Sequence, residues 1–165
     1  MGRRDYLTHS VTHYLLAIHK LYEANERSRY VDIANAINVA KSSVTVAVKK
    51  LKANGLVDED KNKNLFLTEK GHKDVHDTLA NRTLLFYFFK DILHVSNKVA
   101  DEDACRIEHL ISSETQKKLF ELLRSFSACK DSPPISIKDL DLCFCDYKSL
   151  NDFKKSQVGD SHLQT

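Results

Sequence analysis

Between residues 31 and 54 two short helical periodicities stand four residues apart, a spacing that few folds accommodate. Val31-Asp32-Ile33-Ala34-Asn35-Ala36-Ile37 reads as a short helix, Asn38-Val39-Ala40 as a turn, and residues 42–54 as a second helix. On that second helix Val44, Ala47, Val48 and Leu51 share one face, which leaves Lys41, Ser42, Ser43, Thr45, Lys49, Lys50 and Lys52 mostly outside. Gly55 is a natural stop. Leu56-Val57 and Leu65-Phe66-Leu67 flank the polar stretch 58–64, the pattern of a hairpin. Upstream, Val11, Tyr14, Leu15, Ile18, Leu21 and Tyr22 mark a buried stripe over residues 8–24, with His9, His13 and Lys20 off it. Downstream, Thr68 is placed to cap a helix that opens at Glu69. Helices and hairpin in this order make a winged helix-turn-helix.

The chemistry of that arrangement is direct. With its apolar face held inward, the second helix presents Lys41, Ser42, Ser43 and Thr45 to the base edges or phosphates of a major groove. Lys49, Lys50, Lys61 and Lys63 neutralise flanking phosphates. Residues 1–75 hold 13 Lys/Arg against 9 Asp/Glu, and the remainder 12 against 14, so the excess charge sits with the helix-turn-helix. Double-stranded DNA is therefore the expected partner, ahead of a winged helix used only to bind protein.

One long helix is expected over residues 69–93. Its segment Leu84-Leu85-Phe86-Tyr87-Phe88-Phe89 is apolar on every side and has to be covered all round, which points to a homodimer. Further helices are expected at 100–111 and 113–125, the latter opened by a Ser113/Gln116 capping box. This gives a mainly α chain with three expected parts. They are a winged helix-turn-helix over 1–71, a helical metal-binding and dimerisation domain over 72–129, and a partly disordered C-terminal extension over 130–165. No apolar run approaches the ~20 residues of a membrane span, and the N-terminus lacks an apolar signal region. Four Cys in such a chain read as reduced thiols or metal ligands, which places the protein in the cytoplasm.

The informative constellation is Asp101…Cys105-Arg106-Ile107-Glu108-His109. On a helix Cys105, Glu108 and His109 stand at i, i+3 and i+4, so thiolate, carboxylate and imidazole share a face. Spacing alone leaves a metal site and a merely polar helix face equally open.

The segment Ala104-Cys105-Arg106-Ile107-Glu108-His109-Leu110-Ile111-Ser112, preceded by a winged helix ending in Leu67-Thr68-Glu69-Lys70-Gly71, resembles the diphtheria-toxin-repressor family. These are the bacterial iron- and manganese-dependent repressors. The similarity runs over roughly residues 8–127. It implies that metal links the first helix to the second domain and sets the spacing of two DNA-reading heads. It also implies that Cys105, Glu108 and His109 are joined by a ligand immediately before Tyr14-Leu15, which here is His13. The position of Leu16, a second carboxylate in manganese-type members, carries none. The family's ancillary site aligns with about Thr83, Tyr87 and Asp101, a poor donor set, so one metal per subunit is expected. The 36 residues after Cys129 are too few for the family's third, β-barrel domain.

A thiolate, two imidazoles and a carboxylate suit Fe²⁺, Co²⁺, Ni²⁺ or Zn²⁺ better than Mn²⁺, and Fe²⁺ is the expected co-repressor. Cys129, Cys143 and Cys145 leave a redox or iron–sulfur regulator on the same scaffold as the rival reading. The His9/His13 and His72/His76 pairs have the i, i+4 spacing of helical metal ligands, the second on a face expected to be solvated. No phosphate loop, nucleophile elbow or zincin pair is present, so no enzyme is expected.

Overall fold

The computed structural model describes residues 7–25, 28–128, 149, 151 and 152. The expectations for Cys129, Cys143, Cys145 and the disordered C-terminal end fall outside these described residues. The fold is mainly α, and the chain divides into two compact units, the first ending at Val75 and the second beginning at His76.

The first unit contains α1 (His9–Asn25), α2 (Tyr30–Ala36), α3 (Lys41–Ala53), β1 (Val57–Glu59), β2 (Leu65–Leu67) and the start of α4 (Glu69–Tyr87). Thr8 caps α1, its Oγ1 accepting from Val11 N at 3.4 Å and its carbonyl from Thr12 N at 2.9 Å. Tyr14, Leu15 and Ile18 are buried as expected, together with Ala17 and His19. Tyr22 departs from the expected stripe and is 41% exposed. The helix outlasts the core there: residues 22–24 are all exposed, so none of the described residues covers the ring.

All four expected inward residues of α3 are buried. The turn before it places Asn38 at φ 52°, a conformation Asn tolerates better than most residues. After α3, Gly55 takes φ +67°, and Gly55 N and Leu56 N return to Lys52 O and Leu51 O at 2.9 and 3.0 Å. The strands pair antiparallel with Val57 opposite Leu67 and Glu59 opposite Leu65. Asp60 closes the loop between them, accepting from Asn62 N and Asn64 N at 2.8 Å each. Leu65 N donates to Ser28 O at 2.7 Å, which ties the wing to the segment before α2.

The second unit continues α4, then a single π turn (Phe88–Ile92), α5 (Asn97–Ile107) and α6 (Ser113–Ala128). The expected unbroken helix to residue 93 is thus corrected: α-helical geometry stops at Tyr87, and Leu93 N reaches back five residues to Phe88 O at 3.1 Å. The aromatic run is divided by that change. Leu84, Leu85 and Tyr87 are buried, and Leu84 and Tyr87 share a core with Ala80, Phe120 and Leu123. Phe86, Phe88 and Phe89 are half-buried. The expected Ser113/Gln116 capping box is also absent. Ser112 caps α6, its Oγ accepting from Thr115 N at 3.1 Å, while Gln116 is buried and turned toward α4.

Gly71 in the first turn of α4 has the tightest backbone approach. A Cβ there would lie 2.0 Å from the carbonyl oxygen of Leu56, whose chain is held by Thr68 N donating to that oxygen at 3.0 Å. Backbone cannot rotate away as a side chain can. Gly71→Ala is expected to destabilise the protein by about 2–3 kcal/mol in urea unfolding, the upper range for overpacking. An unchanged midpoint would mean that α4 can shift at its start.

Candidate metal centre and nucleic-acid face

In the second unit the sequence around Cys105 builds a partly buried, charged corner. Ser96 caps α5, accepting from Val99 N at 3.5 Å. The helix ends at Ile107 rather than at the expected residue 111, but Glu108 keeps helical backbone angles and Glu108 N donates to Ala104 O at 2.9 Å. Cys105 and Glu108 therefore retain the i, i+3 relation, and His109 follows in the turn. Cys105 and His109 are half-buried; Glu108 is fully buried.

Glu108 is an expensive residue to place there. Among the described residues neither carboxylate oxygen has a hydrogen-bond partner, and the guanidinium Nε of Arg82 lies 4.0 Å away. Burial pushes its pKa up to about 8, with Arg82 opposing the rise and Asp101 adding to it. Burial likewise raises the Cys105 thiol, again against Arg82, with Glu108 adding. The backbone beneath is well satisfied: Asn81 Nδ2 donates to Glu108 O at 2.7 Å, and Gln116 bonds both Asn81 Oδ1 and, at 3.2 Å, Asp77 O. A buried carboxylate without hydrogen-bond donors among the described residues, three positions after a thiol and one before an imidazole, brings donor types that suit a divalent cation.

Arg82, Asn81 and Gln116 are not legible as site residues in the sequence, since nothing in their local spacing marks them. Arg82 is 8% exposed and donates from Nη2 to Asp101 Oδ1 at 2.9 Å. Asp101, a possible metal donor by its spacing, is thus engaged by a permanent cation. Thr83 donates its hydroxyl to Leu79 O at 3.0 Å, and Tyr87 is packed in the core.

In the first unit, His13 is half-buried on α1, one turn from exposed His9, and their Nε2 atoms are 3.2 Å apart. His72 is exposed, as expected of its face, with its ring 5.4 Å from that of buried His19. His76 is half-buried and Asp74 is buried, so the expected solvation of that stretch is only partial.

The expected nucleic-acid residues of α3, Lys41, Ser42, Ser43, Thr45, Lys49 and Lys50, are all exposed, as are Lys61 and Lys63 in the hairpin. Thr45 Oγ1 donates to Lys41 O at 3.0 Å. Lys52 pairs with Glu59, and Lys63 Nζ lies 3.5 Å from the other oxygen of the same carboxylate, so the wing's charge is partly spent internally. A groove of about 430 Å³ runs beside α3, where Thr8 and Ser10 of α1 face Ser42, Ser43 and Lys50. The part played by α1 in this surface is not visible in the sequence.

Residues 6–65 match the family profile described as the iron dependent repressor N-terminal DNA binding domain, and residues 68–136 match its metal binding and dimerisation domain. The chain is 32% identical to the helix-turn-helix transcriptional regulator MntR of Oceanobacillus iheyensis, over 72% of its own length and 80% of that protein. It therefore belongs to the diphtheria-toxin-repressor family. The MntR of Shouchella clausii is 34% identical over 72% of the chain and 82% of the relative. A hypothetical protein of Sulfolobus solfataricus superposes with a TM-score of 0.64 at 25% identity, over 78% of this chain and 98% of that one. The manganese regulator SloR gives 0.61 at 28% identity, over 68% of this chain and 53% of that one, so the chain spans about half the length of SloR. Members of this family are DNA-binding, metal-dependent transcriptional repressors. No helix among the described residues is long and apolar enough to cross a membrane.

The raised pKa of Glu108 has a signed consequence for the metal-free protein. Between about pH 4.5 and 8 the folded state holds a proton that the unfolded state has released. Stability is thus highest at the acid end of this window and falls as pH rises through it, by up to about 1.4 kcal/mol per pH unit from this group. Glu108→Gln is expected to remove that slope and to stabilise the metal-free protein at pH 8. Denaturant unfolding at pH 5 and pH 8 in chelator reads both effects. A slope that survives the substitution would assign it to another group.

Proposed function

We propose that this protein is a homodimeric, Fe²⁺-responsive repressor in the cytoplasm, with one regulatory ion per subunit held by His13, Cys105, Glu108 and His109. The observation that carries the reading is the buried, donor-starved carboxylate of Glu108 beside a thiol and an imidazole. Two imidazoles, a thiolate and a carboxylate form a borderline-soft set, which favours Fe²⁺, Co²⁺, Ni²⁺ or Zn²⁺ over oxygen-preferring Mn²⁺. A bound divalent cation would supply the positive charge that makes ionised Glu108 and Cys105 tolerable in their buried setting. Arg82 holds Asp101 out of that set and leaves the site with a single carboxylate. With every donor committed to binding, nothing in this arrangement activates a water or a substrate, so the proposal is a regulator and not an enzyme.

His13 belongs to the DNA-reading unit and the other three ligands to the second, so joining them selects one placement of the reading heads. By linkage, DNA and metal then strengthen each other's binding by the same factor. The DNA face is Lys41, Ser42, Ser43, Thr45, Lys49 and Lys50, with Lys61 and Lys63 on the backbone. The proposed domain limits are 1–71 for DNA reading, 72–129 for metal and dimerisation, and 130–165 for an extension.

Anaerobic Co²⁺ titration of wild type beside Cys105→Ser tests the site. A thiolate charge-transfer band that saturates near one ion per subunit and is lost in the mutant is expected. His13→Ala should lose metal-dependent DNA binding in a gel-shift assay while remaining a dimer by light scattering. A variant with an unchanged metal response would exclude His13. On the DNA face, Lys49→Ala with Lys50→Ala should lower the slope of log K against log salt by about 0.9 for each phosphate that is no longer neutralised. An unchanged slope would favour a winged helix that does not touch phosphates there.

A further inference from the structure

His9 and His13 stand at i and i+4 on α1, so both rings project from one side of the helix one turn apart. Their Nε2 atoms are 3.2 Å apart, and the rings meet at 72° with centroids 4.4 Å apart. Two metal–nitrogen bonds of ~2.0–2.1 Å separate their nitrogens by roughly 2.9 Å at a right angle and roughly 3.4 Å at a tetrahedral one. The observed spacing lies between these limits, so the two rings already stand at the bite distance of a chelate.

The helix beneath them is held. Thr8 caps the first turn through Val11 N and Thr12 N, and Tyr14 and Leu15, next in sequence to His13, are buried. The first turn, which carries His9, is therefore capped, and this lowers the ordering cost when an ion binds. Imidazole pairs at this spacing on a helix are an established way to hold a first-row divalent cation.

We propose that His9 and His13 form a bis-imidazole clamp, so that α1 contributes two ligands to the regulatory ion rather than His13 alone. The clamp stands on α1 geometry; its place in the same ion's shell rests on the function proposed above. With Cys105, Glu108 and His109 the donors become three imidazoles, a thiolate and a carboxylate. Five protein ligands exceed the four of a structural Zn²⁺ site and suit Fe²⁺, Co²⁺ or Ni²⁺, which accept higher coordination. The added imidazole also moves the site further from Mn²⁺.

The test is anaerobic Co²⁺ and Ni²⁺ binding to the full-length protein, comparing wild type, His9→Gln, His9→Glu, His13→Gln and Cys105→Ser. Loss of even an outer-shell partner costs roughly 10–100-fold in metal affinity, so His9→Gln is expected to weaken binding at least ~10-fold. Its Co²⁺ ligand-field bands should shift and intensify toward a four-coordinate spectrum. His9→Glu should recover part of the affinity and narrow the preference for Co²⁺ over Mn²⁺. Glu at the start of a helix also favours folding, so this variant separates ligand loss from loss of the first turn, read by circular dichroism without metal.

Affinity and ligand-field bands unchanged in His9→Gln would overturn the clamp and leave the 3.2 Å approach as a hydrogen bond between rings. The thiolate band in Cys105→Ser keeps the two readings apart. If that band is lost while His9→Gln binds as wild type, the four-ligand site stands without the clamp. If wild type shows no thiolate band, yet His9→Gln and His13→Gln both weaken Ni²⁺ binding, the clamp stands and the shared site does not.

Discussion

Leu15 and Ile18 of α1, 1% and 0% exposed, anchor the helix on which the first unit depends. The same helix packs on α2, α3 and β2, so its apolar face sets where α3 points. A buried Leu or Ile contributes about 1.5–3 kcal/mol relative to exposure. That is more than the ~0–1 kcal/mol of a surface ion pair such as Lys63 with Glu59. Packing, not charge, therefore fixes the orientation of α3, and Lys41, Lys49 and Lys50 are left exposed on its outer side.

Helix α1 also carries two kinds of polar chemistry. Thr8 and Ser10 line the groove beside α3, while His9 and His13 bring their nitrogens together. Any change in the placement of α1 is thus felt at α3 without a separate relay. Core, groove and imidazoles are interleaved along this one helix at helical spacing, the arrangement on which the proposed metal response rests.

In the second unit the governing constraint is the cost of Glu108. Its carboxylate is buried without hydrogen-bond donors among the described residues, while its backbone carbonyl is held by Asn81, itself bound to Gln116. The carbonyl is bonded and the carboxylate is not. A rigid frame around an uncompensated acid is stable only if the acid stays protonated or a cation arrives. Arg82 does not end that conflict, because its short hydrogen bond goes to Asp101 and its Nε stays 4.0 Å from Glu108.

The winged helix-turn-helix and the four inward residues of α3 are readable in the chain because helical periodicity is local: a 3.6-residue repeat names its own buried face. The Cys105-x-x-Glu108-His109 spacing is readable for the same reason, and so is the His9/His13 pair. Folding alone assigned Arg82 to Asp101, Asn81 to the Glu108 carbonyl and Gln116 to Asn81, hydrogen bonds that span 19, 27 and 35 residues. It likewise turned Gln116 away from the expected cap, left Tyr22 beyond the core and changed the helix at Phe88. Each of these depends on which distant surface arrives to cover or satisfy a group, and that information is held in the packing of several helices rather than in the spacing along any one of them.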